Sequence, residues 1–298
     1  MPKFKEFFMC TRPHSYPAAI APVLVGSTFS LKYLETFSLL KFFLFLISCL
    51  FIQAATNLFN EYYDYKKGLD KIDSEGISGS IVKGKLTANE VMIGALSLYA
   101  IAFILGIILT LLTNYNVLLV GIFSMLIGFL YTGGPYPIAY SPFGELFSGF
   151  FMGTVIICLA FYLQTSFLNY EIFIISLPLF LLIAAILLAN NIRDLENDKV
   201  SGRKTLAILV GKKYAINILA LFFLLTYSLN ILFAFTNYGS LFNLIILITL
   251  PLAIKIILGF KNNNDKKSMA PFMVMTAKLT IICGLLMTLA YLINAFVY

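Results

Sequence analysis

The chain has little charge. Only 12% of its 298 residues are Asp, Glu, Lys or Arg, against roughly a quarter in soluble domains, and that shortage excludes a water-soluble globular class. Histidine is nearly missing, with His14 the single example, and the four cysteines form no C-x-x-C pair. Zinc and haem chemistry are therefore not expected. Cys49, Cys158 and Cys283 fall inside apolar runs and read as small packing residues; Cys10 lies in the amino-terminal segment. A removable leader is not expected, because the first residues carry charge, Pro13 and His14 without a following A-x-A site. What remains is a chain 60% hydrophobic, long enough for about nine membrane spans of ~20 residues joined by short loops.

The apolar runs fall at 17–31, 39–59, 91–112, 117–131, 146–163, 172–188, 215–235, 241–258 and 273–297. Thr87-Ala-Asn-Glu90 has the spacing of a capping box and would open the third helix. Pro17 and Pro22 start or kink the first. With the amino terminus inside, all of the 21 basic residues except Lys32, Lys41 and Lys278 fall on inside segments. That asymmetry predicts a cytoplasmic amino terminus and an outside carboxyl terminus, in the cell membrane. It also accounts for the net charge of +7 as topology and not as a nucleic-acid footprint. The polar stretches 64–89 and 194–213 are too short to be domains and too charged for hydrocarbon, so they read as cytoplasmic caps on a single domain, 1–298.

Two strings stand out. Asn57-Leu-Phe-Asn60-Glu61-Tyr-Tyr-Asp64-Tyr-Lys-Lys-Gly68-Leu-Asp70 closes the second apolar run, and Asn190-Asn191-Ile-Arg193-Asp194-Leu-Glu196-Asn-Asp198 closes the sixth. An even number of crossings separates them, so both emerge on the cytoplasmic face. Carboxylates at the margin of a span cost roughly 2.5–3.5 kcal/mol each at mid-bilayer and need partners. On a helix Asn60 and Asp64 share one face, and Asn190, Asp194 and Asp198 make a second stripe. Such oxygens suit one or two Mg²⁺ ions, with water and phosphate completing each octahedron. A membrane enzyme acting on a diphosphate is the expectation, with Asp64, Asp194 and Asp198 as its essential acids. Glu61, Asp70, Asp73, Glu75 and Glu196, taken one at a time, read equally well as solvated loop charges.

The string from Asn60 to Asp70 resembles the first aspartate-rich motif of the UbiA superfamily of intramembrane aromatic prenyltransferases, and Asp194-x-x-x-Asp198 is similar to its second. Glu61 stands where the commonest form has Asp, and Gly68 stands at the third Asp, with Asp70 two positions on. This variant resembles the branch that prenylates 1,4-dihydroxy-2-naphthoate. Thr11-Arg12-Pro13-His14, the turn Tyr131-Thr-Gly133-Gly134-Pro135-Tyr136-Pro137, and Arg193-Asp194 running into Gly202-Arg203-Lys204-Thr205-Leu206 fit the same branch.

The resemblance implies an all-α integral membrane fold, about nine transmembrane helices around a central cavity with short cytoplasmic cap loops. It implies Mg²⁺ held by Asn60, Asp64, Asp70, Asp194 and Asp198, a polyprenyl diphosphate donor, and a naphthoate acceptor that loses CO₂ to give demethylmenaquinone. Asn60, Arg12, Arg193, Lys83, Tyr131 and Arg203 are the expected substrate-binding residues. Positive-inside bias explains Lys83 and Lys204 just as well, and an interfacial aromatic belt explains Tyr131 and Tyr136. Glu145, opening the fifth run on the inside face, is within reach of the acceptor on this reading, and His14 beside Arg12 reads as structural or acceptor-facing. Lipid is the expected surroundings, with no nucleic acid and no obligate protein partner.

Other acceptors remain open within the superfamily, among them 4-hydroxybenzoate, homogentisate and a lipid alcohol. A cation-coupled transporter is the alternative from another class, since intramembrane acids mark ion paths; here the acids sit at helix ends and not at mid-bilayer. A CDP-alcohol phosphotransferase would require D-G-x-x-A-R…G-x-x-x-D-x-x-x-D, which this chain does not contain.

Overall fold

The structure is a computed structural model describing residues 3–34, 36–68 and 79–297, the side chain of His14 excepted. Among these residues every regular element is helical: α1 (Lys3–Cys10), α2 (Pro17–Ser30), α3 (Leu39–Lys66), α4 (Ala88–Leu111), α5 (Tyr115–Thr132), α6 (Gly144–Thr165), α7 (Tyr170–Val200), α8 (Leu206–Val210), α9 (Lys212–Ala234), α10 (Leu241–Asn262) and α11 (Lys266–Val297). Each of the nine apolar runs lies in a helix. Eight of those helices are long and apolar enough to cross a membrane. The remaining one, α2, has 14 residues, which at 1.5 Å per residue falls short of the ~30 Å hydrocarbon core. A 3₁₀ turn, Leu31–Tyr33, continues it. The chain is a multi-pass membrane protein.

Helices α3 and α7 outrun their apolar segments, so the first acidic string is helical as far as Lys66 and the second throughout. Each stops at a glycine with left-handed backbone, Gly68 at φ 67° and Gly202 at φ 76°. Only glycine takes that conformation without a Cβ penalty, and it ends a helix there. The glycine at the position of the family's third Asp is thus the stop of α3. The capping box that opens α4 is present: Thr87 Oγ1 accepts the Glu90 N–H at 3.2 Å, and Glu90 Oε2 accepts the Thr87 N–H at 2.8 Å.

The helices form two compact units, residues 1–19 with 43–140, and residues 20–42 with 141–298. In the first, Ala55, Leu58 and Phe59 of α3 bury against Val91 and Ala95 of α4, with Cys10, Ile81 and Leu86 closing the cluster. Ion pairs from Lys3 to Glu90 at 2.7 Å and from Lys85 to Glu6 at 3.2 Å tie α1 beside the start of α4. In the second, α7 is the central helix, and Ile172, Ile175, Leu179, Leu182, Leu188 and Ile192 are shut away on it. Close approach rests on small residues, as is common between membrane helices. A Cβ added to Gly284 of α11 would stand 2.5 Å from Ala21 Cβ.

Candidate functional site

In the first unit the site is built on the last two turns of α3. Asn57 Nδ2 donates to Thr11 O and to Ser15 Oγ, both at 2.8 Å, and so pins the turn between α1 and α2 onto α3. Arg12 sits in that turn with left-handed backbone, φ 54° and ψ 65°, a conformation non-glycine residues adopt at some cost. Its Nη2 reaches Asn60 Oδ1 at 3.5 Å, the outer limit of a hydrogen bond. One turn on, Asp64 Oδ1 accepts the Tyr140 hydroxyl at 3.1 Å. Lys67 Nζ lies 4.6 Å from the Tyr140 ring centroid. Asn60 and Asp64 thus lie one turn apart on α3, with Arg12 against the first and Tyr140 against the second.

Glu61 does something else. It is 1% exposed, and its carboxylate accepts the Gly79 N–H at 2.9 and 3.1 Å and the Ile81 N–H at 3.3 Å. Those bonds anchor the start of the turn that holds Lys83, whose own side chain is exposed. Asp70, Asp73 and Glu75 lie outside the described residues. Tyr131 is half-buried in the last turn of α5, and Tyr136 is exposed in the loop that follows.

In the second unit the last turns of α7 carry the second string. Arg193 bridges its own helix: Nη2 donates to Asn190 Oδ1 at 2.7 Å, and Nε donates to Asp194 Oδ1 at 3.1 Å while Nη2 also binds Asp194 Oδ2. From α11, Lys266 Nζ reaches Asp194 Oδ1 at 2.9 Å. Beyond the helix end, Arg203 Nη1 stands 3.3 Å from Asp198 Oδ1, and the Arg203 N–H bonds the Asp198 carbonyl at 3.0 Å. Asp194 and Asp198, both largely buried, are thereby compensated by three cations from three segments. Lys204 is exposed.

The oxygens of Asn60, Asp64, Asp194 and Asp198 are hard donors suited to a divalent cation. The arginines and the lysine around the two α7 carboxylates show a place that demands positive charge. Among the described residues no three Asp, Glu, His or Cys side chains converge as a ready-made metal cage.

Sequence reasoning missed Lys266, which reads there as topology alone, and Tyr140, which carries no motif signal. It also missed Asn191, whose Nδ2 donates to Glu145 Oε1 at 2.9 Å. The doubled Asn190-Asn191 was the available clue: two amides side by side on a helix face different ways.

Residues 19–294 match the model of the UbiA prenyltransferase family, and the chain belongs to that family. It is 42% identical, over 96% of this chain and 92% of the relative, to 1,4-dihydroxy-2-naphthoate octaprenyltransferase of Bacillus subtilis. It is 32% identical, over 97% of this chain and 79% of the relative, to the UbiA prenyltransferase domain-containing protein 1 homolog of Drosophila melanogaster. Its fold is similar to that of a UbiA homolog from Archaeoglobus fulgidus solved with DMAPP and Mg²⁺, with a TM-score of 0.65 and 20% identity over 95% of this chain and 99% of the other. The chain is a prenyltransferase.

Proposed function

We propose that this enzyme transfers a polyprenyl group from polyprenyl diphosphate to 1,4-dihydroxy-2-naphthoate, with Mg²⁺ as cofactor and with loss of diphosphate and CO₂, giving the hydroquinone form of demethylmenaquinone. The observation that carries this reading is the 42% identity, across 96% of the chain, to a relative named for that acceptor. The Mg²⁺ in the Archaeoglobus structure supports the cofactor. Asn60, Asp64, Asp70, Asp194 and Asp198 would hold the metal, which when bound neutralises the diphosphate and makes it a leaving group.

The chain's own groups do the rest. Arg12 and Arg193, each already touching an Asn of its string, are placed to turn their donors to phosphate oxygens, as guanidinium groups do well. Arg203 pairs with Asp198 across the end of the helix. Lys83 adds positive charge at the mouth, and Tyr131 offers a π face to an allylic cation. The mouth faces the cytoplasm and the carboxyl terminus lies outside the cell membrane, following the distribution of Lys and Arg.

The test uses purified protein in liposomes with Mg²⁺, a polyprenyl diphosphate and 1,4-dihydroxy-2-naphthoate, reading prenylated naphthoquinol and CO₂ by mass spectrometry. Product that disappears with EDTA and in Asp194→Ala is expected. Product with 4-hydroxybenzoate alone would overturn the acceptor assignment and leave the chemistry standing.

A further inference from the structure

Glu145 opens α6 and is 3% exposed. Its Oε1 accepts from Asn191 Nδ2 at 2.9 Å. Its Oε2 is buried without a hydrogen-bond partner among the described residues. No Lys or Arg forms an ion pair with it there. A carboxylate oxygen held from water with nothing donating to it is costly, and a fold that keeps one calls for an explanation.

The placement is deliberate in packing terms. Glycines let α6 lie directly on α7: a Cβ on Gly149 would stand 2.7 Å from Phe180 O, and one on Gly153 2.7 Å from Phe180 Cα. Ser176 Oγ donates to Thr154 Oγ1 at 3.0 Å along the same seam. Between them α6 widens into a π-helical segment, Gly149–Val155, a distortion that recurs at functional sites. The seam delivers Glu145 to Asn191, and Asn191 lies three and seven residues before Asp194 and Asp198, on their side of the helix. Through Asn191, Glu145 is therefore tied to the helix that carries the second acidic motif.

We infer that Glu145 is the acceptor-binding residue: Oε2 receives the hydroxyl of the aromatic acceptor that lies ortho to the carbon to be prenylated, and holds its proton during bond formation. The inference rests on the aromatic prenyl transfer proposed above. A carboxylate can only accept, so it selects a hydroxyl and turns the acceptor's own carboxylate away. The O–H bond breaks toward Oε2, and the oxygen's electron pair moves into the ring. The adjacent ring carbon bonds to prenyl C1 as the C1–O bond to diphosphate breaks. The resulting β-keto carboxylate loses CO₂, the electrons of that bond return to the ring, and the oxygen recovers its proton from Glu145. Atoms and charge balance without any oxidant or reductant.

Glu145→Gln isolates the point, because the amide oxygen can still serve Asn191 while an NH₂ replaces Oε2. In proteoliposomes with Mg²⁺ and polyprenyl diphosphate, kcat/KM for 1,4-dihydroxy-2-naphthoate is expected to fall at least about tenfold, as loss of a charge-assisted hydrogen bond implies. KM for the prenyl diphosphate and the thermal midpoint are expected to stay at wild-type values. Unchanged kcat/KM for the naphthoate, or a KM for the prenyl diphosphate raised as far as that for the naphthoate, would overturn the assignment. Should the variant not fold, the wild type decides. As competitive inhibitors, 1-methoxy-4-hydroxy-2-naphthoate should then bind at least about tenfold more weakly than its 4-methoxy isomer, and equal inhibition overturns the inference. If the wild type prenylates only 4-hydroxybenzoate, the naphthoate reading fails separately, and kcat/KM of Glu145→Gln for that acceptor decides Glu145.

Discussion

Lys266 Nζ, at the start of α11, stands 2.9 Å from Oδ1 of Asp194 on α7, an oxygen that Arg193 also binds. Two cations therefore hold one carboxylate on the second acidic motif. A metal that ligated Asp194 would compete with both for its oxygens. The lysine is the more exposed, at 37% of its side chain against 16% for Arg193, and it comes from a separate helix.

Lys266→Met is accordingly expected to lower the Mg²⁺ concentration for half-maximal turnover. A partly exposed ion pair is worth up to about 1 kcal/mol, which is up to about fivefold. A Mg²⁺ titration of initial rates in liposomes measures it; a rise in the requirement would instead make Lys266 a diphosphate ligand.

Asp64→Ala, Asp194→Ala and Asp198→Ala are each expected to cut turnover at least a hundredfold, since metal stabilisation of the departing diphosphate is worth several kcal/mol. Inserted protein should still be recovered, because these acids sit at helix ends and not in the apolar cores. Rates compared at equal folded protein, by size-exclusion profile and turnover, check this.

Glu61→Ala should act on stability. It strands the Gly79 and Ile81 N–H groups, each costing about 1–3 kcal/mol when buried and unpaired. The expected result is a lower melting temperature and faster proteolysis in the segment before α4. The milder Glu61→Gln should keep the wild-type Mg²⁺ requirement within about twofold, well under the tenfold that 1.4 kcal/mol represents. A large change there would show that Glu61 touches the metal.

Gly153→Ala places a Cβ 2.7 Å from the Phe180 backbone, where only movement of a helix relieves the clash. Overpacking of this kind costs typically 1–3 kcal/mol. A drop in thermal midpoint is expected, together with weakened naphthoate turnover as α6 shifts and carries Glu145 with it. A melt in detergent alongside the liposome assay reads both.

Much of this was legible without coordinates. Hydrophobic runs mark spans because the bilayer demands about twenty apolar residues, and every run proved helical. The i, i+4 spacing of Asn60 with Asp64, and of Asn190 with Asp194 and Asp198, announced two polar stripes, and both strings are helical to their terminal glycines. The conflicting signals were those whose chemistry has two uses. Glu61 read equally as a motif acid or a solvated loop charge and is a buried backbone anchor. Lys266 looked like topology and is a partner of Asp194.

The sequence alone determined the class of protein, the order of its apolar helices, the location of its acidic motifs and the face each residue takes on its own helix. Those properties depend on local periodicity and on the cost of polar groups in lipid. Tertiary structure alone decided what lies across each face: Tyr140 on Asp64, Lys266 on Asp194, and Asn191 on one oxygen of Glu145 with the other left open. Burial and hydrogen-bond satisfaction are set between segments distant in the chain, and helical periodicity carries no record of them.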